Sequence, residues 1–380
     1  MTIRLHVLSV PHSISRKDYT VCAFTQKVLN FCKMFKDQGM HVIHYGHEDS
    51  EVVCDEHVTV ITREFFQERF GNHDWKRYGL KHDDSLVYDT FNTNCIKEIQ
   101  SRKQKNDFIL TFWGGPQKVI CDAHPDLIEC EPSIGYGYSF AKYKVFESYA
   151  MLHAHCGASY VNSPQNNFYH AVIPSGLDVS QFEYRKEKED FFVMCGRLVW
   201  AKGVHIAAQA AGYVNTKLIL MGTTHGPEDC YLGKNWPPHV EYIGYADIET
   251  RKYYMSRAKA LFCPTLYMEP FGYVAIEAQL SGTPVISTDW GGFTETVVHG
   301  KTGYRCKTFE EFCWAAKNID TIKPENCRHW AVNNYSQEKI GIMYKEYFQS
   351  VLKVYTDNGW YSVNSDRTDL KYLEKTLPIY

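Results

Sequence analysis

Two cations stand five residues apart behind a predicted strand in the second half of the chain. Arg197 follows Gly196, and Lys202 lies at the start of a helix predicted over Gly203–Ala211. Arginine presents a planar fork of donors and lysine a point charge, so both could converge on a diphosphate. By itself the pair is a weak signal, because charged side chains at a helix start are most often solvated.

A run of residues from Glu269 to Glu277, EPFGYVAIE, follows the predicted strand Ala260–Pro264. Gly272 permits close approach of a ligand to the backbone, and a helix is predicted over Tyr273–Leu280. The first N–H groups of a helix lack intrahelical partners, and together with the helix dipole they bind phosphate. The two glutamates could bracket a nucleotide-sugar, one near the sugar hydroxyls and the other near the ribose. Glu277 could equally serve the helix electrostatically, as acidic residues near a helix N-terminus often do.

A third group combines GTPVI, residues 282–286, with the glycine-rich turn DWGGFTE, residues 289–295. The first part predicts a strand, and the turn follows its carboxyl end. Since the carboxyl ends of parallel strands share one edge of a sheet, we expect this turn beside the first two groups.

Short apolar segments alternate with helix-like segments along both halves of the chain. This alternation favours parallel sheets with helices on both faces. The charged stretch Arg185–Asp190 between the halves is typical of a solvated linker. We therefore predict two doubly wound α/β units whose ligand loops face a central cleft. In the first half, the prediction includes a helix near Phe140–His155 and a strand at Ala158–Asn162.

Taken in order, the motifs GRLVWAKG, EPFGYVAIE, SGTPVIS and GGFTE resemble those of the retaining GT-B glycosyltransferases, most closely family 4. Two more segments resemble motifs of that family: IPSGLD, residues 173–178, with serine in place of asparagine, and HGKTGY, residues 299–304. The resemblance spans about residues 170–305 and is far more specific than any single motif.

By this resemblance the chain has a GT-B fold of two Rossmann-like domains. Residues 1–172 would form an acceptor-side domain and residues 173–351 the donor-binding domain, with the tail 352–380 packed back on the first. The implied reaction is a metal-independent sugar transfer that retains anomeric configuration. The donor would be UDP- or GDP-linked and is a substrate, so no cofactor is implied. The acceptor would be a hydroxyl of a glycan, a lipid, a small molecule or a modified DNA base.

The resemblance also implies roles for individual residues. Arg197 and Lys202 would hold the donor diphosphate. Glu269 would bind the transferred sugar and Glu277 the ribose hydroxyls. Further donor contacts, several of them through the backbone or to the base, would come from Gly196, Gly222, Tyr242, Ile243, Gly244, Phe271, Gly272, Tyr273 and Val274.

The first half of the chain matches the family loosely. The loop after the first predicted strand, PHSIS, lacks the glycines that many members have there. The predicted strand Leu127–Cys130 is followed by Glu131, where many members have a histidine. His12 and Glu131 are therefore the candidate contacts on the acceptor or sugar side.

Two groups of histidines have the residue type of metal ligands but not the geometry. His41, His44 and His47 lie near a predicted strand, and as long as that strand is regular, alternation turns His44 away from the other two. His153 and His155 point in different directions from a predicted helix. We assign no metal site.

The charge and the cysteines of the chain limit the kinds of partner and cellular compartment that the sequence predicts. A net charge of −3 argues against a nucleic-acid partner while leaving room for a local basic groove. The 13 cysteines are scattered singly, without a CxxC pair, which is typical of reduced thiols in the cytoplasm. The N-terminal segment lacks the features of a signal peptide, and no apolar run of about 18 residues predicts a membrane-spanning helix.

Two other classes of protein would share the predicted donor site. A nucleotide-sugar epimerase would need further acid and base groups, which this sequence does not clearly show. A nucleotide-sugar-binding protein without turnover would not require the complete set of two cations and two glutamates.

Overall fold

The computed structural model of the protein describes residues 2–19, 21–71, 73–81, 84–160, 169–223 and 236–356. The chain forms two compact units. The first unit contains the residues up to 73, residues 80–176 and the helix that begins at Gln337, and the second contains residues 74–79 and 177–336.

Strands and helices alternate through the first half of the chain, as predicted. In chain order they are β1 (Arg4–Leu8), α1 (Ala23–Asp37), β2 (His41–His47), β3 (Glu56–Ile61), α2 (Arg63–Phe70), α3 (Trp75–Tyr78), α4 (Ser85–Gln100), β4 (Phe108–Leu110), α5 (Lys118–Asp122), β5 (Ile128–Ile134), β6 (Tyr143–Phe146), α6 (Tyr149–Tyr160) and β7 (Ala171–Val172). The seven strands form one sheet in the order β3-β2-β1-β4-β5-β6-β7, and their pairings are parallel.

The second half repeats the alternation. Its elements are β8 (Glu189–Cys195), α7 (Val204–Tyr213), β9 (Lys217–Met221), β10 (Val240–Tyr242), α8 (Ile248–Arg257), β11 (Ala258–Cys263), α9 (Tyr273–Leu280), β12 (Val285–Thr288), α10 (Phe293–Thr296), β13 (Gly303–Cys306), α11 (Phe309–Asn318), α12 (Pro324–Tyr335) and α13 (Gln337–Thr356). Its six parallel strands lie in the order β10-β9-β8-β11-β12-β13. The prediction of two Rossmann-like α/β units is confirmed.

The strand order predicts where each sheet binds a ligand, and we call this part of the sheet, at the carboxyl ends of its strands, the ligand edge. The order reverses between β1 and β4 in the first sheet and between β8 and β11 in the second. Ligands of doubly wound sheets bind at such a switch point, outside the carboxyl ends of the strands. The loops after β8 and β11 carry the first two motif groups, so the fold brings both groups to one switch point.

Helix α13 belongs to the first unit along its whole length, so the return to that unit comes at Gln337 and not at 352. Ile340, Tyr344 and Phe348 are fully buried in the core that also contains β1 and α1. The Tyr344 ring packs edge-on against Phe31 at 5.1 Å, and Phe348 packs against Phe35 at 5.5 Å. Helix α13 has apolar residues every four positions, and burying this face against the first unit explains why the chain returns to that unit earlier than predicted. Residues 357–380 of the predicted tail lie outside the described residues.

The prediction near residues 140–162 is wrong in two places. Tyr143–Phe146 is the strand β6, paired with β5, so the predicted helix near Phe140–His155 begins only at Tyr149. Residues 158–160 continue that helix and do not start a strand, while 161–162 lie outside the described residues. Periodicity cannot separate a short buried strand from a helical segment, and β6 has only four residues.

A histidine pair lies within the first sheet, with His44 fully buried and His57 partly buried. His44 on β2 stands opposite His57 on β3, and their Nδ1 atoms are 2.9 Å apart. Nε2 of His44 shares a hydrogen bond of 2.7 Å with the Ser9 hydroxyl. The pair must share one proton between the facing nitrogens, so both rings cannot be cationic in this arrangement. Among the described residues, no three His, Cys, Asp or Glu side chains gather as metal ligands do.

Stability is expected to fall as the pH drops below about 6.5, the ordinary pKa of histidine. Burial lowers the pKa of His44, aided by His57, and burial also lowers the pKa of His57 and brings that of His47 to about 4. Between pH 6.5 and 4 these histidines therefore bind protons in the unfolded chain but stay neutral in the folded chain, and this difference favours unfolding. Chemical denaturation at pH 7.5, 6 and 5 checks this. His57→Asn should reduce the fall, whereas His329→Asn, at an exposed position, should not.

The described part of the chain has two further features. Its cysteines are free thiols. None of its helices combines the length and hydrophobicity that crossing a membrane requires.

Candidate functional site

Three glycines close the carboxyl ends of β8, β9 and β10. The Gly196 N–H donates to the Met221 carbonyl at 2.9 Å, and the Gly222 N–H donates to the Gly244 carbonyl at 2.8 Å. Gly222 has a φ of 141°, and a Cβ there would lie 1.7 Å from the Gly196 carbonyl oxygen. Only glycine fits this approach, so the three predicted glycines form a bare backbone wall at the ligand edge.

The other two residues predicted near the base flank this wall. The Tyr242 hydroxyl donates to the Gly222 carbonyl at 3.1 Å, and the Tyr242 side chain is exposed, with 38% of its surface accessible. The Ile243 N–H donates to the Leu220 carbonyl at 3.1 Å. The Ile243 side chain packs partly into the core, which leaves its backbone for any ligand contact.

An ion pair joins the first two motif groups. Lys202 ends a short 3₁₀ turn over Trp200–Lys202, and its Nζ donates to Oε2 of Glu269 at 2.6 Å. The Tyr267 hydroxyl donates to the same oxygen at 3.0 Å, and the Tyr267 ring lies under the ammonium at 4.8 Å. Both charged side chains keep some exposure, 20% for Lys202 and 15% for Glu269. The pair therefore lies at the switch point, within reach of a ligand.

The charge of Lys202 is secure in this setting. Burial favours the neutral amine, but the Glu269 carboxylate and the Tyr267 hydroxyl outweigh that effect and raise the pKa of Lys202. The site thus offers a permanent cation that is already neutralised by a carboxylate.

Arg197 differs from Lys202 in its surroundings. Its side chain is exposed, and none of the described residues forms an ion pair with its guanidinium. An exposed arginine can turn onto an incoming anion without first breaking an internal contact. The structure therefore does not bring Arg197 into the Lys202–Glu269 pair.

Helix α9 starts at this edge without a side-chain cap. Gly272 precedes it in the left-handed region with a φ of 86°, and a Cβ there would lie 2.5 Å from the Phe293 ring. Phe271 is buried, so only its backbone can face a ligand, and Val274 packs partly into the core. Tyr273 is the first helical residue. The uncapped terminus retains the donor and dipole character that favours an anion.

The third motif group braces the second. The Gly292 N–H donates to the Glu269 carbonyl at 2.7 Å, and a Cβ on Gly291 would lie 2.6 Å from the same oxygen. The glycine pair lets two backbones pack in direct contact. Its role in this structure is to hold Glu269 in place.

Glu277 is held by a residue that the sequence reasoning missed. Nη2 of Arg251, on α8, forms an ion pair with Oε2 of Glu277, on α9. Burial opposes the charge of Arg251, but Glu277 outweighs it and raises the pKa of Arg251. The one signal in the sequence is a cation close to the N-terminus of a predicted helix, where the helix dipole disfavours it unless it is paired.

In the first unit, His12 and Glu131 are turned into the protein. His12 is buried, and its Nδ1 shares a hydrogen bond of 3.0 Å with the Tyr88 hydroxyl. Glu131 is fully buried, and one carboxylate oxygen accepts from the N–H groups of Phe140 and Ala141 at 2.7 and 2.8 Å. Burial raises the pKa of Glu131 despite these donors. Glu131 fixes the loop before β6 in this conformation and does not present its carboxylate to solvent.

Residues 178–337 match the family model of glycosyl transferases group 1. Among curated proteins, glycogen synthase of Mycobacterium tuberculosis is 30% identical over 149 residues, which cover 36% of this chain and 35% of that protein. The chain thus spans about a third of this relative's length. Residues 178–337, which match the family model, contain all three motif groups and the Arg251–Glu277 pair.

Solved structures agree with the fold over most of the chain. Sucrose-phosphate synthase from Thermosynechococcus elongatus has a TM-score of 0.68 at 16% identity, covering 93% of this chain and 100% of that one. HepE from Anabaena, solved in complex with UDP-glucose, has a TM-score of 0.65 at 16% identity and covers 92% and 100%. Two Rossmann-like units with these neighbours give the chain the GT-B fold, and its second unit carries the region that matches glycosyl transferases group 1.

Proposed function

We propose that the protein is a retaining, metal-independent glycosyltransferase. It transfers a sugar from a nucleoside-diphosphate sugar to the hydroxyl of a glycan, lipid or small-molecule acceptor. The observation that carries the proposal is the Lys202–Glu269 pair at the switch point between β8 and β11. A cation and a carboxylate there fit the two ends of a sugar diphosphate, and the matched family region contains both.

The donor diphosphate would lie against positive groups. As the glycosidic bond breaks, its electron pair goes to the diphosphate, so negative charge grows on the leaving group. Arg197, Lys202 and the start of α9 supply fixed positive charge and donors where that charge develops. These groups do the work that a metal ion does in other enzymes, which supports metal independence.

Glu269 would take the sugar hydroxyls once the donor enters. Lys202 then exchanges part of its contact with Glu269 for the diphosphate. Retention follows if the acceptor hydroxyl attacks from the face that the diphosphate leaves and gives its proton to the departing diphosphate oxygen. UDP is the first nucleoside diphosphate to test, since the neighbour HepE was solved with UDP-glucose.

Slow donor hydrolysis without acceptor is the expected activity. The full chain is incubated with UDP-, GDP- and ADP-sugars in the presence of EDTA, and calorimetry measures binding of UDP, GDP and ADP. One donor class should be hydrolysed, and its diphosphate should bind. Lys202→Met should abolish both signals, whereas Lys301→Met, an exposed lysine in the same unit, should keep them.

Three results would contradict parts of the proposal. Binding of none of the three diphosphates contradicts the function itself. Hydrolysis that EDTA abolishes and Mn²⁺ restores contradicts metal independence. An isomerised donor with no released sugar would instead favour a nucleotide-sugar epimerase.

A further inference from the structure

Arg251 lies at the ligand edge of the second sheet. It occupies the first turns of α8, which Asp247 caps by accepting from the Thr250 N–H at 2.8 Å. Its guanidinium stands beside Cys195, the last residue of β8, where burial raises the thiol pKa and the nearby arginine opposes that effect. The carboxyl end of β8 also carries Gly196, so Arg251 belongs to the same edge as the predicted donor residues.

The contact of Arg251 with Glu277 is made from one side only. Nη2 of Arg251 pairs with Oε2 of the glutamate, and the side chains retain 20% and 16% exposure. A carboxylate has a second oxygen with its own lone pairs, which can accept from ligand hydroxyls. The arginine thus fixes the direction of the carboxylate while leaving part of it for a ligand.

A second donor of Arg251 is unused. Its Nε atom is buried, and none of the described residues accepts a hydrogen bond from it. A buried donor without a partner carries a desolvation cost that a ligand oxygen would remove. Nη2 of Arg251 therefore serves Glu277, whereas Nε is left without an acceptor among the described residues.

We propose that Arg251 is a positioning residue of the donor site, which orients the Glu277 carboxylate so that the chain selects nucleotides with ribose hydroxyls. The inference rests on the proposed function, because it takes the ligand of Glu277 to be the donor ribose. It adds a residue from α8 and a measurable selectivity to that function.

The test compares ribose with 2′,3′-dideoxyribose in a binding experiment. Calorimetry on the full chain measures Kd for UDP, GDP and ADP and for their dideoxy analogues ddUDP, ddGDP and ddADP. Arg251→Met should weaken binding of the preferred diphosphate by about tenfold, as expected for one lost charge-assisted contact, and leave its dideoxy analogue unchanged. Arg251→Lys should restore part of the selectivity, because the ammonium can still pair with Glu277.

Arg257 provides a matched control on the same helix. It has similar exposure, 16%, and it also pairs with carboxylates, Glu183 and Glu189, at 3.7 Å each. Glu189 is the first residue of β8, so this arginine lies at the opposite edge of the sheet from Arg251. Arg257→Met should leave the ribose selectivity intact.

A double-variant cycle separates positioning from structure. Glu277→Gln should remove the same selectivity, and adding Arg251→Met should cause no further loss. Equal weakening of the ribose and dideoxy forms in Arg251→Met would overturn the inference, as would unchanged binding of both. Failure of the wild-type chain to bind UDP, GDP or ADP would overturn the proposed function and this inference with it.

Discussion

Replacing Glu269 by glutamine is expected to lower sugar transfer by about 100-fold or more while affinity for the free nucleoside diphosphate stays the same or rises. Glu269 should touch the sugar hydroxyls, which the free diphosphate lacks. In the resting protein, Glu269 also neutralises Lys202 at 2.6 Å. Glutamine removes that counter-charge, so the lysine becomes more available to the diphosphate. Steady-state transfer kinetics and calorimetry with the diphosphate measure the two effects.

Glu277→Gln is the matched control for this variant. It should lose diphosphate affinity, because the ribose is present in both donor and product. Thermal melts must show that both glutamine variants fold, since each breaks an ion pair. Loss of diphosphate binding in Glu269→Gln with transfer intact at saturating donor would mean that the two glutamates have the reverse roles.

Arg197→Ala is expected to weaken diphosphate binding and also to slow transfer, with a combined cost of about 2–4 kcal/mol, the range for a removed donor to developing negative charge. Arg197 is exposed and has no ion-pair partner among the described residues, so its removal should leave stability nearly unchanged. The loss should therefore be seen in Kd and in turnover, and not in the melting temperature. Calorimetry, transfer kinetics and thermal melts measure the three quantities.

A charge control separates a specific contact from general attraction. Lys301→Ala removes one exposed cation from the same unit and should change Kd little. Arg197→Lys should recover part of the loss, because an ammonium keeps the charge without the planar fork. An Arg197→Ala variant with wild-type Kd and turnover would show that the guanidinium does not reach the diphosphate.

Glycines explain how much of the fold could be predicted. Gly222 directly follows strand β9, Lys217–Met221, and Gly272 directly precedes helix α9, Tyr273–Leu280, so both segments are bounded by residues that break regular structure. The helix predicted over Tyr273–Leu280 has these bounds in the structure. Strand β6 has no such boundary and no distinctive period, and the prediction of a helix there was wrong.

The candidate site likewise has one part that the sequence predicts and another that depends on tertiary packing. Gly196, Gly222 and the Lys202–Glu269 pair lie where parallel strands end, so motif order along the chain was enough to place them at one edge. Arg251 reaches Glu277 from a neighbouring helix, and such a contact depends on how α8 and α9 pack. The burial of Glu131 likewise depends on the loop that folds over it. The residue pattern of a single segment predicts neither the Arg251–Glu277 contact nor the burial of Glu131.

Helix α13 has a consequence for how the protein is made. Its side chains Ile340, Tyr344 and Phe348 complete the core of the first unit, yet they are translated after the whole second unit. During synthesis Phe31 and Phe35 emerge from the ribosome some 300 residues before the rings that cover them, by the spacing of α1 and α13 along the chain. The nascent first half therefore leaves this apolar surface uncovered until α13 has been synthesised, and over that interval the surface is open to aggregation.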